Sequence, residues 1–115
     1  MIQVYGIKNC STVKKALNWL EDKKLDYQFH DYKKEPATLT KLQEWEKSVS
    51  WEVLVNKKGT TWRKFSKDEQ AAVTDAKTAN EALLANNSLI KRPVLEIDKQ
   101  LIVGFNEEEY LQKLT

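Results

Sequence analysis

The residue in this chain best able to act as a nucleophile is Cys10, the only cysteine among 115 residues. The thiolate, not the thiol, attacks, and an ordinary thiol is only a few per cent ionised at neutral pH. Its neighbours therefore decide whether Cys10 reacts. Val4-Tyr5-Gly6 reads as the end of a strand, and Val13, Ala16, Leu17 and Leu20 recur at the three- and four-residue spacing of a helix face. Ser11 and Thr12 are types that start helices, so the spacing predicts a helix opening at Cys10 or Ser11. A helix N-terminus offers unpaired N–H groups and partial positive charge, worth about 0.3–1 kcal/mol to an anion. Lys8 lies two residues before Cys10 and Lys14 one turn after it, which adds positive field. A lone cysteine is more often a small buried hydrophobe. Here Asn9, Ser11 and Thr12 are polar, a loop setting that favours a reactive thiol.

Composition excludes several other chemistries. One thiol forms no internal disulfide, and one cysteine with one histidine makes no zinc site. Nineteen basic against seventeen acidic residues give +2, far from the excess expected of a direct nucleic-acid binder. No apolar run approaches the roughly 20 residues of a membrane span. Met1-Ile2-Gln3-Val4-Tyr5 enters a strand without the charged and apolar regions of a secretory signal. The expectation is one metal-free domain, residues 1–115, in the reducing cytoplasm and away from the membrane.

The elements that must position Cys10 follow from pattern. Leu25–Tyr32 alternates as a half-buried strand, with Tyr27 and Phe29 opposite Asp26, Gln28 and His30. Strand, helix and strand within about 30 residues form a βαβ unit with parallel strands. Thr38 can cap a helix through Leu39, Leu42 and Trp45, and Ser50 a shorter one stopped near Gly59. Gly59–Phe65 reads as a loop carrying Trp62, Arg63 and Lys64. Ser66 with Glu69 and Thr78 with Glu81 spell capping boxes, opening helices to about Val73 and Asn86. Val94–Ile97 and Leu101–Val103 are strands of a hairpin through Asp98-Lys99-Gln100. Asn106 with Glu109 caps a last helix ending near Leu114. The order is βαβ, a helical insertion at about residues 37–89, then ββα: an α/β chain.

Four runs occur together and in this order: Tyr5-Gly6-Ile7-Lys8-Asn9-Cys10, His30-Asp31-Tyr32-Lys33-Lys34, Asn56-Lys57-Lys58-Gly59-Thr60-Thr61-Trp62-Arg63-Lys64 and Ile90-Lys91-Arg92-Pro93-Val94-Leu95. With them the chain resembles the arsenate reductase/Spx-like family of thioredoxin-fold proteins, and within it the YffB-type glutathione-dependent thiol reductases. The resemblance implies a thioredoxin-like fold, βαβ plus ββα around a mixed four-stranded sheet, with a cis proline, Pro93, opening the third strand beside the active cysteine. It implies that Cys10 and Arg92 are catalytic, the guanidinium stabilising the thiolate and gripping an oxyanion or carboxylate. Lys8, Asn9, Lys14, Arg63 and Pro93 are the candidate substrate-binding positions.

The departures from the family pattern matter too. Arsenate reductases carry a Leu-Leu-Arg run where Leu54-Val55-Asn56 stands here, and an arginine after the hairpin where Val103-Gly104-Phe105 stands. One of three oxyanion-binding arginines is thus retained, with Arg63 as a candidate replacement. A Cys-x-x-Cys pair would need cysteine at Val13, so an external thiol must resolve any adduct on Cys10. The implied co-substrate is glutathione, and the implied partners are a small thiol, a glutaredoxin or a protein disulfide. The alternatives are an Spx-like regulator binding RNA polymerase and a binding module with an inert thiol. Trp19, Trp45 and Trp51 are expected to pack, and His30 to be structural.

Overall fold

The computed structural model describes residues 1–115, whose contacts divide into two units: residues 1–35 with 92–115, and residues 36–91. The first contains β1 (Ile2–Gly6), α1 (Ser11–Asp22), β2 (Tyr27–Asp31), and later β3 (Val94–Ile97), β4 (Gln100–Val103) and α7 (Glu107–Leu114). Its sheet has the order β2-β1-β3-β4. β1 pairs with β2 in parallel and with β3 antiparallel, and β3 pairs with β4 antiparallel. This is the mixed four-stranded, thioredoxin-like arrangement.

Alternation explains which face of the sheet is dry. Ile2 and Val4 of β1 pack with Leu95 of β3 and Ile102 of β4 against Ala16 and Leu20 of α1 and Tyr110 of α7. Tyr27 and Phe29 join this cluster from β2, as their alternation predicts. Tyr110, fully buried, meets Trp19 and Phe105 edge-on and donates from its hydroxyl to the Gly104 carbonyl at 2.6 Å. Gly104 closes β4 at φ 89, a conformation that penalises any Cβ. Leu95→Ala in this cluster is expected to destabilise the chain by about 2–5 kcal/mol, read as a lower urea midpoint with little change in the slope of the transition.

The ends of α1 set the approach to Cys10. At its C-terminus Lys24 takes φ 58, Leu25 N–H bonds to Leu20 O at 2.9 Å and Lys24 N–H to Glu21 O at 3.0 Å. That is a Schellman ending with lysine where glycine is usual. At the other end, a Cβ on Gly6 would stand 3.0 Å from Val13 Cγ2. The absent side chain lets the end of β1 close against the first turn of α1.

The second unit holds α2 (Leu39–Trp45), α3 (Trp51–Leu54), α4 (Thr60–Lys64), α5 (Lys67–Ala71), α6 (Ala76–Ala85) and a 3-10 turn at Asn87–Leu89. Leu42, Trp45, Leu54, Val55, Ala79, Leu83, Leu89 and Ile90 are its buried apolar residues. Thr38 and Ser50 cap α2 and α3 as expected, and Ser66 with Glu69 forms a complete capping box.

Three local readings change. Gly59–Phe65 is a single helical turn rather than a loop, because extended Gly59 supplies the carbonyl that Arg63 N–H reaches at 3.3 Å. The helix after Ala72 opens at Asp75, not Thr78. Asp75 accepts from Thr78 N–H at 2.9 Å while the Thr78 hydroxyl accepts from Asp75 N–H at 3.1 Å. Thr78 is thus the returning partner of the box, and its bonds hold Asp75 below the usual carboxylate range. The Ser50-capped helix ends at Leu54, where Val55 turns extended and bridges to Ile90.

Candidate active site

Cys10 is the N-cap of α1. Its backbone is extended, at φ −122 and ψ 127, and its carbonyl accepts the first helical bond from Lys14 N–H at 2.9 Å. The thiol is half-buried and free. Burial alone would raise its pKa, but the N–H groups of Val13 and Thr12 and the charge and hydrogen bond of Arg92 outweigh that and bring it below the ordinary thiol value. The neutral side chain closes no formal capping bond; the first-turn N–H groups face a sulfur they can stabilise once it is an anion.

Arg92 is brought to this point by β3. It immediately precedes Pro93, the Arg92–Pro93 peptide is cis, and Pro93 is buried at the entry to the strand. The cation acting on the thiol is therefore Arg92, some eighty residues away in sequence. Lys8, Asn9 and Lys14 are exposed, the first two in the β1–α1 loop and the third on α1. The local charge expected from Lys8 and Lys14 is not among the influences that lower Cys10. Arg63 is exposed in the last turn of α4, in the second unit.

A polar stripe on the sheet reaches the same point. Tyr5 is paired with His30 across β1 and β2, and their rings stack with centroids 4.5 Å apart. The Tyr5 hydroxyl donates to Glu96 at 3.1 Å, and His30 bonds to Gln3 through Nε2. His30 is thus held from both sides, by the Tyr5 ring and by the Gln3 side chain. Tyr32 comes next on the His30 side of the chain, its N–H donating to Gly6 O at 2.9 Å. It is 4% exposed, and burial, helped by Tyr5 and Glu96 and opposed by Arg92, drives its phenol far above the ordinary range. Its hydroxyl has no hydrogen-bond partner. In the sequence alone Tyr32 reads as no more than the end of a strand. Parity puts His30 with Tyr32 and Arg92 with Glu96, and the register across β1, β2 and β3 then places both pairs on the face of Tyr5.

No three His, Cys, Asp or Glu side chains cluster as a metal site, and no helix is long and apolar enough to cross a membrane.

The chain belongs to the ArsC family, whose model matches residues 5–113. An uncharacterised Haemophilus influenzae protein is 49% identical over 96% of both chains. The global transcriptional regulator Spx of Listeria innocua is 25% identical over 95% of this chain and 83% of its own. Among solved structures, the YFFB protein aligns with TM-score 0.94 at 40% identity over the whole of both chains. An arsenate reductase-related protein from Brucella melitensis aligns at 0.78 with 48% identity, over 99% of this chain and 94% of that one. The arsenate reductase-like, thioredoxin-fold assignment is thus established at the level of family.

Proposed function

We propose that this protein is a monothiol reductase that uses Cys10 as nucleophile and glutathione as the resolving thiol. The observation that carries the reading is the convergence of Arg92 and the first-turn N–H groups on the only cysteine, with the thiol's pKa lowered as a result. In the first step the Cys10 thiolate attacks one sulfur of a disulfide, forming a mixed disulfide and expelling the other half as a thiolate, which takes a proton from water. In the second, a glutathione thiolate attacks the mixed disulfide and returns Cys10 to its anion. Val13 occupies the position of a second active-site cysteine and is wholly buried, so the resolving electrons come from outside the chain. Arg92 favours the anion at both ends of the cycle and offers a fork for a substrate carboxylate.

Arsenate fits less well, since Asn56 and Gly104 stand where arsenate reductases carry arginines. Incubation of the protein with oxidised glutathione should add one glutathione per chain by intact mass, and reduced glutathione should remove it. A wild-type thiol that alkylates readily yet never takes up glutathione would favour the regulator reading, which the Spx likeness supports.

A further inference from the structure

We propose that Tyr32 is a binding residue of this site, its hydroxyl donating to a substrate carboxylate that Arg92 also grips. The inference rests on the reading of Cys10 and Arg92 as a thiol-exchange site, and it adds a residue that the reading leaves unused.

Two other tyrosines of the chain have their hydroxyls hydrogen-bonded within the fold. Tyr110 is fully buried and spends its hydroxyl on the Gly104 carbonyl; Tyr5 gives its own to Glu96. Tyr32 is nearly as buried as Tyr110, and its oxygen has no partner at all. An unsatisfied buried hydroxyl is costly, and phenylalanine would pack there without that cost. Its place is fixed by the bond from Tyr32 N–H to Gly6 O, at the strand end from which the loop to Cys10 departs. By register, Tyr32 just after β2 and Arg92 just before β3 fall on the Tyr5 face of the sheet, on either side of β1.

The chemistry of the missing partner follows from the groups present. The phenol stays protonated throughout the physiological range, so it donates and does not serve as a base. A donor hydroxyl on the same face as a guanidinium calls for an anionic acceptor with more than one lone-pair direction, and a carboxylate supplies that. The hydroxyl is closed to solvent in the free chain.

The test compares two disulfides that react identically at sulfur. Oxidised glutathione carries carboxylates; bis(2-hydroxyethyl) disulfide carries none. Tyr32→Phe removes the hydroxyl and keeps the ring, and thermal unfolding followed by circular dichroism checks that the variant folds. Rates of mixed-disulfide formation on Cys10 are followed by intact mass. The expected result is at least an approximately fivefold slower reaction with oxidised glutathione, against less than about twofold with the neutral disulfide. Esterifying the glutathione carboxylates should slow wild type more than Tyr32→Phe. An unchanged rate ratio, or equal slowing with both disulfides, would overturn the role of Tyr32. No exchange in the wild type with either disulfide would remove the thiol-exchange reading itself, and this inference with it.

Discussion

Cys10→Ser will abolish covalent uptake of glutathione and of alkylating agents while leaving the fold intact. The chain contains no other thiol, so no second nucleophile of that class can take over. A serine hydroxyl at a helix N-cap is a favoured residue there, and the variant should unfold at or slightly above the wild-type midpoint. Intact mass after exposure to oxidised glutathione reads the first expectation and thermal unfolding the second. Persistent addition of one glutathione in the variant would place the reactive group elsewhere and end the case for Cys10.

Arg92→Ala should produce the next largest change. A hydrogen bond to a charged partner contributes about 1.5–3 kcal/mol when dry. Cys10 is half-exposed, so solvent screening brings the figure towards about 1 kcal/mol, or roughly a fivefold slower reaction at neutral pH. The sign with pH is defined. Burial raises the thiol's pKa, and the N–H groups of Val13 and Thr12 together with Arg92 lower it by more. Losing Arg92 moves the rate profile to higher pH, and the wild-type and variant curves converge where both thiols are fully ionised. Arg92→Lys should recover part of the anion stabilisation but less of any carboxylate binding, because an ammonium lacks the planar fork. Equal rates for wild type and Arg92→Ala with both iodoacetamide and oxidised glutathione would take Arg92 out of the site.

The sheet unit was legible because its signals are local. The period of Val13, Ala16 and Leu20 gives α1, the alternation of Tyr27 and Phe29 gives β2, and Asn106 with Glu109 gives the start of α7. The helical segment was harder, since three- to five-residue turns such as α4 have no period to read. There a side-chain pair can be named from either end: Thr78 was visible as a capping residue, but Asp75 took the cap because its carboxylate reaches Thr78 N–H. The site was half legible. Cys10 announces itself by its flanks, whereas Arg92 entered through resemblance alone. The polar stripe of Tyr5, Tyr32 and Glu96 was missed because it depends on register across β1, β2 and β3. The lysines next to Cys10 were overvalued for the same reason: nearness in sequence is not nearness of charge to sulfur.

The most direct test of the account is the pH dependence of Cys10 alkylation by iodoacetamide, measured on the native chain and on the same chain unfolded in urea. The unfolded thiol supplies the reference, near 8.5. The native midpoint should lie below it, with a rate that rises with pH and levels off once the thiolate is complete. A native midpoint at or above that of the unfolded chain would mean that burial wins over Arg92 and the first-turn N–H groups, and that Cys10 is an inert thiol.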